Sequence, residues 1–224
     1  MRYAIEGGQL PVVICELEPG EELISQGGKR TWMRGEVETE SSGQGAAAKM
    51  FSRMMSGDSL FLSKYHAVSK AQIAFSAGFP GSIIPKELAA GETLICQKGA
   101  FLAATSAVDL SVFFQKKLSV GFWGGEGFIM QKITGPGLVF LEINGHAVTY
   151  SLKEKEKIVC DTGCVALMEE NCTVEVEMVK GMKNAALGRE GLCNTVVTGP
   201  GKVVLQTMSI GSFAQSISAG FAGK

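Results

Sequence analysis

The residues of this 224-residue chain best suited to metal or nucleophilic chemistry are two histidines and six cysteines. A catalytic metal needs several His and a carboxylate converging on one ion. His66 and His146 are far apart, and neither has a His two residues on or a Glu at motif spacing. Both are expected to be structural or surface residues. Among the cysteines (Cys15, Cys96, Cys160, Cys164, Cys172 and Cys193) only Cys160-x-x-x-Cys164 is a close pair. It has no second pair and no neighbouring His, so zinc is poorly supported. A reactive thiol would need a lowered pKa, which no motif here supplies. The chain carries no G-x-x-x-x-G-K-[ST], G-x-S-x-G or H-E-x-x-H pattern. The glycine-rich "GFWGGEG" at 121–127 lacks the following helix that a phosphate cradle needs. The expectation is a protein that is not an enzyme, with no cofactor and no metal.

The elements around these residues repeat. "LEPGEELISQGG" from Leu17, "LAAGETLICQKG" from Leu88 and "LKEKEKIVCDTG" from Leu152 share a Leu, a Glu (Glu21, Glu92, Glu156), an apolar pair, then Ser or Cys and a Gly. Each then reaches an acid, Asp58, Glu126 or Glu190. Cys96 and Cys160 stand at one repeat position and Ser25 holds it in the first copy, which reads as packing of a small residue. Asp58, Glu126 and Glu190 recur once per unit and are expected to accept backbone N–H groups in the connector turn, since a catalytic residue is normally unique. "ITGPGLVFLEI" and "VVTGPGKVVLQ" repeat 64 residues apart, Thr134 to Thr198.

The unit reads as strands. "TVEVEMV" alternates strictly, and so do parts of "AVDLSVFF" and "GEVETE". "GLVFLEI" and "GKVVLQTM" read as buried strands. Gly135, Gly137, Gly199 and Gly201 flank prolines and are expected to be conformational glycines in equivalent tight turns. "INGHAV" around Asn144-Gly145 is a hairpin signal. The spacing predicts three β modules at 1–70, 71–137 and 138–210, with a tail at 211–224. "LPVVICEL" at the start and "KVVLQTM" at the end are expected to be free sheet edges.

Helix is expected only near residues 46–55 and in the C-terminal "GSFAQSISAG". A helix over 46–55 would gather Met50, Phe51, Met54 and Met55 on one face. Together with Phe122 and Trp123 in another connector, these are the candidate partner-binding residues. Packing on the same module, on a second chain, on a protein partner or on a membrane surface would each use such a face.

With 46% hydrophobic and 19% charged residues, the chain can bury a globular core. Its net charge of −1 gives no basic surplus for nucleic acid or anionic lipid. No window approaches a membrane span and the start does not read as a signal peptide, so a cytoplasmic site with reduced thiols is expected.

"GDSLFL", "GGEGFIM", "FPGSIIPKEL", "AFLAAT", "VDLSV" and "ITGPGLVFLEINGHAV" resemble the mitochondrial-biogenesis, altered-inheritance-of-mitochondria family and its bacterial members, from about Tyr3 to Ser212. The resemblance implies a fold like that of the tryptophan RNA-binding attenuation protein: all-β, three tandem TRAP-like repeats, each a short double-stranded β-helix or sandwich. It carries over no catalytic motif. The leading expectation is a non-catalytic oligomeric scaffold or binding module, with self as partner and closure as a homotrimer of nine modules. One alternative is a ring that binds single-stranded RNA, by fold analogy alone. Lys64 and Lys132 occupy equivalent places, but Asn194 or Thr195 stands there in the third copy. Another alternative is a cupin-like metal-dependent enzyme, against which the histidine count stands.

Overall fold

The computed structural model describes residues 1–41, 62–116, 127–178, 193–209, 211, 213–214 and 217. The expected helix at 46–55, the acids Asp58, Glu126 and Glu190, and Met50, Phe51, Met54, Met55, Phe122 and Trp123 lie outside these residues. Within them the protein is all-β, with nineteen strands in four antiparallel sheets. Helix is confined to a 3-10 turn at Lys98–Ala100 and the C-terminal positions Gly211, Phe213, Ala214 and Ile217.

The opening strand β1 (Arg2–Glu6) precedes three runs of six. The first run is β2 (Val12–Leu17), β3 (Glu22–Gln26), β4 (Arg30–Arg34), β5 (Val37–Ser41), β6 (Leu62–Ala67) and β7 (Ala71–Ser76). The second is β8 (Gly81–Leu88), β9 (Thr93–Gln97), β10 (Phe101–Thr105), β11 (Asp109–Lys116), β12 (Phe128–Thr134) and β13 (Gly137–Asn144). The third is β14 (Ala147–Leu152), β15 (Lys157–Asp161), β16 (Val165–Met168), β17 (Thr173–Met178), β18 (Cys193–Thr198) and β19 (Gly201–Gln206).

These runs follow the same itinerary, each displaced by one sheet. The sheet orders are β1-β2-β7-β4, then β5-β6-β3-β10-β13-β8, then β11-β12-β9-β16-β19-β14, then β15-β18-β17. The second sheet therefore joins three strands of the first run to three of the second, through β3 and β10. The third sheet joins the second and third runs in the same way, through β9 and β16.

Two sequence expectations are corrected by this order. The strands on either side of Asn144-Gly145 do not form a hairpin: β13 is in the second sheet, whereas β14 pairs with β19 in the third. The chain turns there to change sheets. Nor are the leading and closing strands free edges, since β2 lies between β1 and β7, and β19 between β16 and β14.

Two compact units result. The first comprises Met1–Thr93, Lys98–Val112 and Lys132–Ile143, and the second Leu94–Gln97, Phe113–Gln131 and Asn144–Lys224. In the first unit Val13, Cys15, Leu17, Leu23, Ile73, Phe75, Leu102 and Phe140 form the core. The alternation of "VVICEL" puts Val13, Cys15 and Leu17 inward, as period-two strands require. The second unit has its own core around Ile95, Phe128, Met130, Val165, Val197 and Val203.

Candidate functional site

Three glutamates perform one local task. The side chain of Glu21 accepts the N–H of Glu18 at 2.9 Å, that of Glu92 the N–H of Ala89 at 3.0 Å, and that of Glu156 the N–H of Lys153 at 2.8 Å. Their own N–H groups return to the carbonyls of Glu18, Ala89 and Lys153. Each carboxylate thus clamps the turn that leads into β3, β9 or β15. Their carbonyls in turn accept the N–H groups of Ala67, Gly135 and Gly199 at 3.0, 3.0 and 2.9 Å. These corners are where β6, β12 and β18 end and the chain changes sheets.

The corner glycines are tightly enclosed. A Cβ at Gly135 would meet the Leu88 Cβ at 2.7 Å, and one at Gly199 the Leu152 Cβ at 2.7 Å. Gly137 and Gly201 have φ of +149° and +144°. The peptide bonds Gly135-Pro136 and Gly199-Pro200 are cis.

Glu92 is held below the usual carboxylate range, first by the Ala89 N–H and then by Lys86. Because its folded pKa is depressed, the stability it contributes is present above the unfolded value near ~4.3 and is lost as pH falls through the folded value. Wild-type protein should therefore lose thermal stability more steeply below about pH 4.3 than Glu92→Gln, whose amide cannot titrate. Melting curves across that range check this, and equal slopes would show that the clamp does not respond to charge.

Among the described residues of the first unit, the most buried charged side chain is Glu142. Its side chain is 2% exposed and binds Lys29 Nζ at 2.8 Å, with Lys29 20% exposed. It also accepts the N–H of Gly78 at 3.2 Å. Gly78 belongs to the link between β7 and β8. In the second unit Gln206 does the corresponding work: its Oε1 accepts the N–H of Asn144, the last residue of β13, at 3.0 Å. Its Nε2 donates to the Gly163 carbonyl at 2.8 Å and reaches Gln97 Oε1 at 3.4 Å. Both groups hold one run of strands to the next. Glu142 already has two donors and little access to solvent, which suits a structural post better than a general base.

The histidines and cysteines occupy ordinary structural places. His66 Nδ1 lies 3.4 Å from Glu22, which Lys64 also binds at 2.8 Å. The backbone N–H of His146 donates to Thr207 Oγ1 at 2.8 Å. All six cysteines are free thiols. Burial pushes the Cys15 and Cys160 thiols up to about 12 and that of Cys96 further, so they are poor nucleophiles at neutral pH. Ser25 and Cys96 are fully buried in equivalent strands. Among the described residues no three His, Cys, Asp or Glu side chains converge as a metal site. No helix among them is long and apolar enough to cross a membrane.

The turn glutamates carry a sequence signal, an acid three residues after the first turn position, which resembles a capping box. The Lys29–Glu142 pair carries none locally, because its members lie on different runs.

A family model described as mitochondrial biogenesis AIM24 matches residues 3–208. An uncharacterized protein of Streptococcus pyogenes serotype M6 is 23% identical over 225 residues, spanning 97% of this chain and 90% of its own. The crystal structure of a Streptococcus pyogenes protein is similar with a TM-score of 0.77 at 22% identity, over 97% of this chain and 98% of that one.

Proposed function

The chain belongs to the mitochondrial biogenesis AIM24 family, and from that premise we propose that it is a non-catalytic, self-assembling binding scaffold made of three tandem TRAP-like β repeats. One observation carries this reading: Glu21, Glu92 and Glu156 spend their side chains on the same backbone clamp at three equivalent turns. Glu142 and Gln206 likewise tie successive strand runs together. Polar groups used this way build a repeat array rather than a reaction centre. In this reading the repeats begin at β2, β8 and β14, with the cuts at the links near residues 78 and 145. Free thiols suit a reducing compartment such as the cytoplasm. RNA binding is less favoured, because Lys64 is paired with Glu22 rather than presented to a phosphate.

A scaffold of repeats gains its surface by multiplication. Three copies would bring nine repeats into one closed assembly, so light scattering at micromolar concentration should give about three times 23.7 kDa. A mass of one chain would overturn self-assembly.

A further inference from the structure

Resting on that scaffold reading, we propose the joint by which copies meet: β15 of one copy pairs antiparallel with β4 of the next, with Cys160 opposite Trp32 and Val159 opposite Met33. The protein already makes this joint twice within itself. In the second sheet β3 pairs with β10, with Ser25 opposite Ala103 and Ile24 opposite Ala104. In the third sheet β9 pairs with β16, with Cys96 opposite Leu167 and Ile95 opposite Met168.

Two independent markers extend the register. On one side Ser25, Cys96 and Cys160 each stand four residues after a clamping glutamate. On the other side β4, β10 and β16 pair with β7, β13 and β19, and each pairing shifts register at the same place. The shifts fall at Arg30/Trp32, Phe101/Ala103 and Val165/Leu167, which makes Trp32 the counterpart of Ala103 and Leu167. The third joint therefore has two halves, β15 at one end of the strand order and β4 at the other.

Both halves are edges. β15 ends the fourth sheet and β4 ends the first, with no further strand among the described residues on their outer sides. Other edges do not share this status. β8 and β14, the counterparts of β2, end their sheets although β1 covers β2, and β1, β5, β11 and β17 are sheet edges as well. Among the described residues, β3/β9/β15 and β10/β16/β4 are the positions that pair with each other at the internal joints and stand open at the two ends of the strand order.

The side chains agree. Ile24, Ile95, Ala103, Ala104, Leu167 and Met168, which line the internal joints, are buried. Their counterparts at the open ends are apolar yet exposed: Val159 58%, Trp32 42% and Met33 38%. Exposed apolar side chains on an open strand edge favour pairing with another chain. The occupant that fits both by pattern and by register is a second copy.

Cysteine cross-linking tests the register. Directly opposed Cα atoms on antiparallel strands lie ~4.5–5.5 Å apart, alternating between close and wide pairs, which a disulfide can span. Trp32→Cys should link to the native Cys160, and the double variant Met33→Cys/Val159→Cys should link across the neighbouring pair. At least one should give interchain disulfides under mild oxidation, mapped to those residues by peptide mass spectrometry. An oligomer of native mass in which neither link forms would overturn this joint and leave the scaffold standing. Wild-type protein that scatters as a single chain would overturn both. Val159→Lys supplies a measurement free of cysteine chemistry. It should reduce the mass to one chain with the melting profile of a folded protein, and an unchanged oligomer would also overturn the joint.

Discussion

Lys29→Met should destabilise the protein by about 3 kcal/mol, near the lower end of the ~3–5 kcal/mol seen when one partner of a buried ion pair is removed. The substitution keeps an apolar stem of similar length but strips the Glu142 carboxylate of its cation. Glu142 would then remain buried with the Gly78 N–H as its bonded donor. Partial exposure of Lys29 is why the effect falls at the low end, since water can approach from that side. Adding Glu142→Leu should recover most of the loss, because replacing a whole buried pair by apolar groups is often close to neutral. What remains should be about 1 kcal/mol for the Gly78 N–H left without its acceptor. Urea midpoints of the two single variants and the double variant close the cycle. A Lys29→Met midpoint within ~0.5 kcal/mol of wild type would show that the pair does not hold the link.

Gly137→Val and Gly201→Val should each cost about 2–4 kcal/mol, combining strain at a left-handed φ with overpacking. A Cβ at Gly137 would lie 2.6 Å from Val108 Cγ2 and also strike the Thr105 hydroxyl. At Gly201 it would lie 2.8 Å from the Cys172 sulfur. A thiol yields more readily than a valine methyl in a strand corner, so Gly137→Val should be the more damaging. Gly99 has open space and no left-handed φ. Gly99→Ala is the control, expected within ~0.5 kcal/mol. Equal melting temperatures for all three would mean that the corners tolerate a side chain.

Strands were legible where a local pattern decides them. The alternation of "TVEVEMV" marks β17, and the apolar run of "GLVFLEI" marks β13, which lies between β10 and β8. Glu21, Glu92 and Glu156 were legible as a recurrence but not as turn clamps, because the N–H that each accepts is set by the backbone conformation of the turn; the acids expected to serve turns, Asp58, Glu126 and Glu190, lie outside the described residues. Pairing was harder to read, because a hairpin signal specifies a bend and not the sheet its second arm will join. At Asn144-Gly145 the following strand finds its partner in β19, more than fifty residues on, and that non-local pairing wins. The same cause moved the free edges from β2 and β19 to β4 and β15. Lys29 and Glu142 escaped the sequence reading because their proximity exists only after β3 and β10 have paired. The one local trace is an acid inside an otherwise apolar strand.

The sharing of each middle sheet between successive runs of strands has a consequence during synthesis. β3 leaves the ribosome well before β10, the strand that pairs with its open edge: β3 begins at Glu22 and β10 at Phe101, 79 residues later. At ~5–20 residues per second the wait is roughly 4–16 s. Throughout that interval Leu23 and Ile24 border an uncovered strand on a nascent chain. A neighbouring ribosome on the same messenger, further along, is then extruding a β10 of identical sequence. Translation speed and ribosome spacing therefore compete with intramolecular pairing, and crowded polysomes favour chains that exchange strands before either is complete.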